Sequence, residues 1–269
     1  MAFRIPNLFG ETRPPDERVA ELTEHLGELR TRIIRSCVYA VVGMVVVYLK
    51  YQLIFQTLTG PLKRSLDSLS KQHTANGLPG GAFVFHSFTD AFLLILQVSL
   101  VGGLILALPF IMGELWGFIA PALTADEKRA VNFVAPMSIV LFIMGLSCAF
   151  FIIPMAVHWF LGYLPKGAVL LQNPLVYIVF TIKLLLIFGV LFQLPVVLMF
   201  LGKVGIISSS MMKTYWRQIS VALFTCAMVV APSNDPGTML MLAIPLTILF
   251  FASIWLVQLV EPKPESNGT

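Results

Sequence analysis

Residues 91–120 read AFLLILQVSLVGGLILALPFIMGELWGFIA, and Glu114 is the one charged side chain among them. About 20 consecutive apolar residues cross the hydrocarbon core of a bilayer as a helix, so this stretch predicts a membrane span. Further apolar stretches surround it, at 33–54, 131–163, 174–201, 217–231 and 238–260. Of these, 217–231 is marginal in length. The sequence therefore predicts an all-α, polytopic membrane protein with six transmembrane helices.

The composition supports the same class. Hydrophobic residues make up 57% of the chain and charged residues 12%, with a mean hydropathy of +0.86, whereas an average soluble domain has about 25% charged residues. Hydrocarbon offers the backbone no hydrogen-bond partners, so the spans must be helical. Helix-breaking residues inside the spans predict kinked or interrupted helices: Gly102, Gly103, Pro109, Pro136, Pro154, Pro195 and Pro245.

Three regions are predicted along the chain. Residues 1–32 are expected to form a cytoplasmic tail and an amphipathic surface helix, because apolar residues recur there at spacings of three and four: Val19, Leu22, Leu26, Leu29 and Ile33. Residues 33–260 form the six-helix membrane domain, and residues 261–269 form a second short cytoplasmic tail. The connection between the first two spans, about 55–88, is long enough for a small outer cap.

The lysines and arginines predict the orientation. If the N-terminus lies inside, most of them fall on the cytoplasmic side, and the outer side keeps only a few: Lys50, Lys63, Arg64, Lys71 and Lys166. Cytoplasmic loops of membrane proteins carry an excess of positive residues. Both termini are therefore expected in the cytoplasm.

The sequence shows no catalytic or metal-binding pattern. It contains no H-E-x-x-H, no G-x-S-x-G and no glycine-rich phosphate loop. Cys37, Cys148 and Cys226 lie singly in predicted spans, without neighbouring histidines that would make a zinc site. The chain is therefore predicted not to be an enzyme, and to have no catalytic residue, no metal, no cofactor and no nucleic-acid partner.

Two carboxylates are predicted at the same membrane face. Glu28 lies on the surface helix, and Glu127 lies in the connection between the second and third spans. Each is able to bind a guanidinium with bidentate geometry, so together they could recognise a pair of arginines. In the alternative interpretation, Glu28 pairs with Arg32 on its own helix and Glu127 is a solvated loop charge. The spacing alone leaves both open.

Two polar side chains in the fourth span need partners. Gln193 stands two residues before Pro195, and an unsatisfied amide in hydrocarbon costs several kcal/mol. It is therefore expected to face a polar group on another helix of the chain, a cavity or an outside partner. Lys183, in the outer half of the same span, is expected to snorkel outward or to pair with Asp90 or Asp235.

Several motifs carry a resemblance to a known family. HLGELRTR at 25–32 resembles the HLxELRxR signature of the twin-arginine translocase subunit TatC, and WGFIAPAL at 116–123 followed by EKR at 127–129 is similar to its first cytoplasmic loop. FGVLFQLP at 188–195 resembles its fourth-helix motif, and Pro232, Asp235 and Pro245 fit its last hairpin. The resemblance covers about residues 16–260.

The resemblance implies the core receptor of a pathway that exports folded proteins bearing twin-arginine signal peptides. Glu28 and Glu127 would bind the arginine pair, and Arg30 would orient these carboxylates. The same signal-peptide surface would include three apolar side chains: Phe118, Pro121 and Leu123. Gln193 and Pro195 would dock the transmembrane helices of TatA- and TatB-type single-span subunits.

Further implications are copies of the same chain in one complex, export driven by the proton-motive force, and a multi-pass location in the cytoplasmic (inner) membrane of a prokaryote. The chain departs from the usual pattern at four polar positions and in the segment 213–218, which is less basic than in typical relatives. Gln97 stands where lysine often follows. Gln193 stands where glutamate is frequent, Glu114 where glutamine is common, and Asp90 where glutamate is usual. Glu114, at the inner end of the second span, would lie within reach of water. An alternative function is a small-solute secondary transporter, with Lys183 and Gln193 lining a polar site at the midplane.

Overall fold

A computed structural model describes residues 15–73, 84–122, 125–163, 165, 173–231 and 235–260, without the side chains of residues 15–24, 64–73, 122 and 125–133. Helices make up these ranges, and no β-strand occurs in them. The helices are α1 (Pro15–Leu49), α2 (Tyr51–His73), α3 (Phe88–Ile119), α4 (Ala125–Leu161), α5 (Pro174–Leu191), α6 (Leu194–Lys203), α7 (Ser209–Thr214), α8 (Trp216–Val230) and α9 (Pro236–Val260). A 3-10 turn, Ala120–Ala122, follows α3.

The helices confirm the polytopic membrane fold. Five segments are long and apolar enough to cross a membrane: His25–Leu49, Phe88–Ile119, Val134–Leu161, Pro174–Lys203 and Pro236–Val260. The fifth predicted span, at 217–231, is a shorter apolar helix, Trp216–Val230, as its marginal length in the sequence predicted. The predicted surface helix and first span are one continuous helix, α1. The predicted outer cap contains α2, which packs into the core through Leu58 and Leu62.

The fourth span alone is broken into two helices within the described ranges. α5 ends at Leu191 and α6 begins at Leu194, so that Pro195 occupies the first turn of α6, where a missing N–H group costs nothing. α3, α4 and α9 continue through their internal prolines. The interruption predicted at Gly102 and Gly103 is wrong, because α3 runs through both residues.

The glycine pair instead permits close packing of α1 on α3. A Cβ atom added to Gly103 would overlap N and Cα of Met44 and would lie 2.8 Å from the carbonyl carbon of Gly43. A Cβ atom on Gly43 would overlap the carbonyl oxygen of Gly103. Small residues at such crossings let two membrane helices approach until their backbones touch. This contact fixes α1 against α3.

Polar side chains cap the N-terminal ends of α3, α5 and α9. Asp90 Oδ2 accepts hydrogen bonds from the backbone N–H of Ser87 at 3.2 Å and from Asn173 Nδ2 at 2.9 Å. Asn173 in turn caps α5 by accepting from the N–H of Leu175 at 2.9 Å, and Asp235 caps α9 through its 2.9 Å bond from the N–H of Thr238. Asp90 and Asp235 are therefore structural groups at helix N-termini.

Aromatic and aliphatic side chains form the core. The largest cluster joins α1, through Val47, with α2, α3, α4, α5, α8 and α9. A smaller cluster contains Trp116 of α3, Val134 of α4 and Met199 of α6, with Phe200 and Val260 packed against it. Since these residues stand near the ends of α3, α6 and α9, those ends and the beginning of α4 lie at one face of the bundle. We call this the inner face.

Candidate functional site

One face of α1 carries the polar residues that meet α3. Glu28, Arg32, Arg35 and Tyr39 follow one another at spacings of four, three and four, which places them on a single stripe of a helix. The stripe is directed at Glu114, one turn from the end of α3. These contacts bring together groups that are 75 to 82 residues apart in the chain.

Arg32 is shared between two carboxylates. Its Nη2 and Nε donate to Oε1 of Glu28 at 2.6 and 3.1 Å, and its Nη1 donates to Oε2 of Glu114 at 3.2 Å. The hydroxyl of Tyr39 donates to the other oxygen of Glu114 at 3.3 Å, and Arg35 Nη1 lies 3.9 Å from it. The Glu114 side chain is only 12% exposed. Charge-assisted bonds of this kind are about twice as strong as neutral ones.

Glu28 keeps one oxygen available. Its Oε1 takes both bonds from Arg32, whereas its Oε2 accepts no hydrogen bond from a described residue and lies 3.9 Å from Nδ1 of His25. The side chain of Glu28 is 33% exposed. A carboxylate has about four acceptor positions, so the free oxygen can take further N–H donors. Arg32 therefore orients the Glu28 carboxylate and leaves its Oε2 atom available as an acceptor.

The last turn of α3 closes the site on one side. The ring of Phe118 stacks on His25 with centroids 4.4 Å apart and planes 20° apart. A Cβ atom on Gly117 would clash with Nη1 of Arg32, so the glycine leaves room for the guanidinium. Pro121 is exposed in the 3-10 turn that follows. His25, Glu28, Arg32, Glu114 and Phe118 thus form one contact group, which we call the inner-rim cluster.

Three predicted residues stand apart from these contacts. Arg30 is exposed and makes no hydrogen bond or ion pair with a described carboxylate, whereas Arg32 contacts Glu28. The orienting role of Arg30 stays a prediction. Leu123 lies outside the described residues. The backbone of Glu127 lies in the first turn of α4, at the inner face, but its side chain is outside the described part. The meeting of the Glu28 and Glu127 carboxylates stays a prediction.

The spacing on α1 held a signal for Arg32 but none for its second partner. The interpretation that Glu28 pairs with Arg32 on its own helix is confirmed. The link to Glu114 was missed, because the sequence cannot tell which face of α3 meets α1. Glu114 was expected to reach water, and it is instead nearly buried beneath Arg32 and Tyr39.

A second polar group lies on the opposite face of the α3 end. Trp116 Nε1 donates to Oγ of Ser138 at 2.9 Å, and Gln193 Nε2 donates to the carbonyl oxygen of Ser138 at 3.2 Å. The Gln193 amide also lies 3.4 Å from the carbonyl oxygen of Gly189. The Gln193 Oε1 atom is buried and has no donor among the described residues. The predicted bond to another helix is therefore present, with half of the amide left unpaired.

Lys183 does not join Gln193 in a common site. The Lys183 side chain is exposed, and within the described ranges it makes no ion pair, whether with Asp90, Asp235 or another carboxylate. The Gln193 amide is directed at Ser138 on α4. The polar lining that a midplane solute site would need is not formed by these two residues. No described group of His, Cys, Asp and Glu side chains could hold a metal ion.

Comparisons with known proteins agree with the motif resemblance. A family model described as Sec-independent protein translocase protein (TatC) matches residues 24–245. A Sec-independent protein translocase protein TatC of Desulforapulum autotrophicum is 35% identical over 94% of this chain and 89% of its own length. The TatC protein of Aquifex aeolicus is 33% identical over 90% of this chain and 96% of its own.

A solved structure has the same fold. The crystal structure of a twin-arginine translocase receptor, TatC, superimposes with a TM-score of 0.74 at 31% identity, covering 88% of this chain and 99% of that chain. A second crystal structure, of a twin-arginine translocase receptor in the detergent DDM, gives a TM-score of 0.72. The family match over residues 24–245 includes both the inner-rim cluster and Gln193.

Proposed function

The chain belongs to the TatC family of Sec-independent protein translocase proteins, and we propose that it is the subunit that binds twin-arginine signal peptides of folded cargo. In this role it is a receptor and not an enzyme, with both termini in the cytoplasm of a prokaryote and the inner face of the bundle at the cytoplasmic side of the inner membrane. Export is driven by the proton-motive force. The observation that carries the proposal is the inner-rim cluster.

The inner-rim cluster is able to bind the guanidinium group of a peptide arginine. Arg32 holds Glu28 through Oε1 alone, so Oε2 is pre-oriented for the N–H groups of an incoming arginine. Consecutive residues of an extended peptide are about 3.5 Å apart, so a second carboxylate at the same rim is needed for the second arginine. Glu127, at the start of α4, supplies it in this proposal. Phe118 and Pro121 offer apolar surface to the residues that follow the arginines.

Photo-cross-linking tests this assignment at single positions. With a photoreactive phenylalanine at position 118 or 121, we expect adducts to a precursor that bears a twin-arginine signal peptide, because Phe118 stacks on His25 beside Glu28 and Pro121 follows it in the 3-10 turn. A precursor with two lysines in place of the arginines should give several-fold fewer adducts, since lysine lacks the planar fork that matches a carboxylate. The readout is adduct yield in membrane vesicles.

A matched control uses Phe151, an exposed aromatic residue of α4 in the outer half of the bundle. The photoreactive residue should give no precursor adduct at that position. Equal yields from the two precursors at positions 118 and 121, or adducts at 151 alone, would contradict the proposed binding site.

We further infer that the region of Gln193 docks a single-span partner subunit of the TatA or TatB type. The break between α5 and α6 leaves the buried Oε1 of Gln193 without a described donor, and this state costs free energy that a partner donor would recover. Val190 and Val197 are exposed beside it and offer apolar surface to a packing helix. Rotation of the amide away from Ser138 would bring it to that surface.

Replacing Gln193 by leucine separates docking from folding. The change removes two long hydrogen bonds and an unpaired acceptor together, so we expect stability within about 1 kcal/mol of the unmodified chain. Partner cross-linking from position 197 should fall about threefold or more, as expected for one interhelical hydrogen bond of ~0.6 kcal/mol or above.

Gln97 provides the matched control for this prediction. It also has a buried Oε1 without a described donor, but it lies on α3. Gln97→Leu should leave cross-linking at position 197 unchanged. An equal yield from the Gln193→Leu chain would return Gln193 to a packing role.

A further inference from the structure

A cavity of about 370 Å³ opens on the side of the bundle between α9 and the junction of α7 with α8. Six residues line it: Lys213, Trp216, Phe251, Ile254, Trp255 and Gln258. Its floor is fixed, since Ile254 is 7% exposed and packs in one cluster with Met212 and Phe250. Its rim is open, with Trp255 62% exposed. The cavity is thus an aromatic groove on a firm base.

The rim of this groove carries unpaired positive charge. Lys213 is exposed, and the exposed Arg217 places its Cζ atom 5.5 Å from the centre of the Trp216 ring. None of the six lining residues is acidic, and neither cation makes an ion pair with a carboxylate in the described part of the chain. Two cations that have no counter-charge among the described residues favour an anionic ligand.

The start of α8 adds backbone donors at the same point. Tyr215 occupies the N-cap position without a side-chain cap, so the first N–H groups of this 15-residue helix, beginning at Trp216, have no side-chain acceptor. Helix N-termini attract phosphate through such groups and through the helix dipole. These donors begin at Trp216, which lines the groove, and so lie beside Lys213 and Arg217 at the rim.

The groove sits at a depth suited to a lipid. Gln258 is two residues from the end of α9 at Val260, and Val260 packs in the cluster of Trp116 at the inner face. Trp216 and Trp255 flank the opening, and indole rings are enriched at headgroup level in membrane proteins. The end of the groove with Lys213 and Gln258 therefore lies at headgroup level, and the end with Phe251 lies at the level of the acyl chains.

We propose that this groove binds one anionic phospholipid. Its phosphate is held by Lys213, Arg217 and the first N–H groups of α8, and an acyl chain lies over Phe251 and Trp255. A partner helix is a poorer occupant, because the lining of α9 from Phe251 to Gln258 extends only about 10 Å, whereas a packed membrane helix follows a groove through the ~30 Å hydrocarbon core. Basic pockets between membrane helices at the cytoplasmic side commonly hold anionic headgroups.

Native mass spectrometry of the purified full-length chain in a neutral detergent tests this proposal. Titration with dioleoyl phosphatidylglycerol should give one adduct that dioleoyl phosphatidylcholine does not give at the same concentration. Lys213→Gln and Arg217→Gln should each weaken the adduct about fivefold, and the double variant more than either. Lys203→Gln removes a charge at the same face, on α6, and should have little effect.

Three outcomes would overturn the proposal. Equal weakening by Lys203→Gln would mean diffuse surface attraction, and displacement of the lipid by millimolar inorganic phosphate would mean a simple anion site. A photoreactive residue at position 255 that yields protein adducts and no lipid adducts in native membranes would assign the groove to a partner helix. The expected result is lipid adducts at position 255 that are lost in the Lys213→Gln, Arg217→Gln double variant.

Discussion

Glu28→Gln should weaken the binding of a twin-arginine peptide about 10- to 140-fold, which corresponds to the loss of about 1.5–3 kcal/mol for a hydrogen bond to a charged group. The substitution keeps the size of the side chain and removes the charge that Oε2 offers to the peptide. Arg32 keeps its bond to Glu114 at 3.2 Å, so α1 should remain on α3. Fluorescence anisotropy of a labelled peptide, with the chain in detergent, measures the dissociation constant.

Glu24→Gln is the matched control, because it removes an equal charge one turn earlier on α1. The dissociation constant of this variant should stay within about twofold of the value for the unmodified chain. The circular dichroism spectra of both variants should match that of the unmodified chain. Raising the salt from 0.1 to 0.5 M should weaken binding to the unmodified chain more than to Glu28→Gln, since exposed charges are screened. A Glu28→Gln chain that binds like the control would remove the cluster from peptide recognition.

The spans were predictable because each is a local property of the sequence. Apolar length identified five long helices and the short Trp216–Val230, and Pro195 marked the break in the fourth span. The opposite result at Gly102 and Gly103 has a physical reason. Glycine weakens an isolated helix, but at Gly103 it removes the side chain that would keep α1 away, and this benefit depends on Gly43 sixty residues earlier.

The site divides in the same way. Family motifs and carboxylate spacing pointed to Glu28, and the four-residue spacing pointed to Arg32, because both patterns are local. The ion pair of Arg32 with Glu114 depends on the rotation of α1 relative to α3. This rotation cannot be predicted from the sequence of either helix alone. The same is true of the bond from Gln193 to Ser138, which joins residues 55 positions apart.

The end of α3 lies between the two proposed binding regions. Glu114 and Phe118, four residues apart, face α1 and the inner-rim cluster. Trp116, between them in sequence, faces α4 and bonds to the serine whose carbonyl oxygen holds Gln193. A rotation of this last turn would therefore change both sets of contacts. The packing of α3 on α1 should therefore affect the proposed peptide site, even where this packing lies far from the rim.

Gly103→Ala tests that seating and should destabilise the chain by about 2–3 kcal/mol, because the added methyl group overlaps backbone atoms of Met44 that cannot rotate away. Unfolding in a titration with sodium dodecyl sulfate, followed by circular dichroism, gives the change. Since α1 must move off α3, Arg32 of α1 and Glu114 of α3 should separate, although Glu114 lies about 16 Å from Gly103 along α3. Twin-arginine peptide affinity should fall as well.

Gly113→Ala makes the contrast decisive. Gly113 is adjacent to Glu114, ten residues nearer to the rim than Gly103, yet a Cβ atom there meets nothing within 4 Å. The free energy of unfolding of the Gly113→Ala variant should be unchanged or rise by up to about 1 kcal/mol, since alanine stabilises a helix more than glycine does. Peptide affinity should be unchanged. If the two alanine variants lose affinity in proportion to their closeness to Glu114, the effect comes from local crowding of the rim, and the packing of α1 on α3 does not control the site.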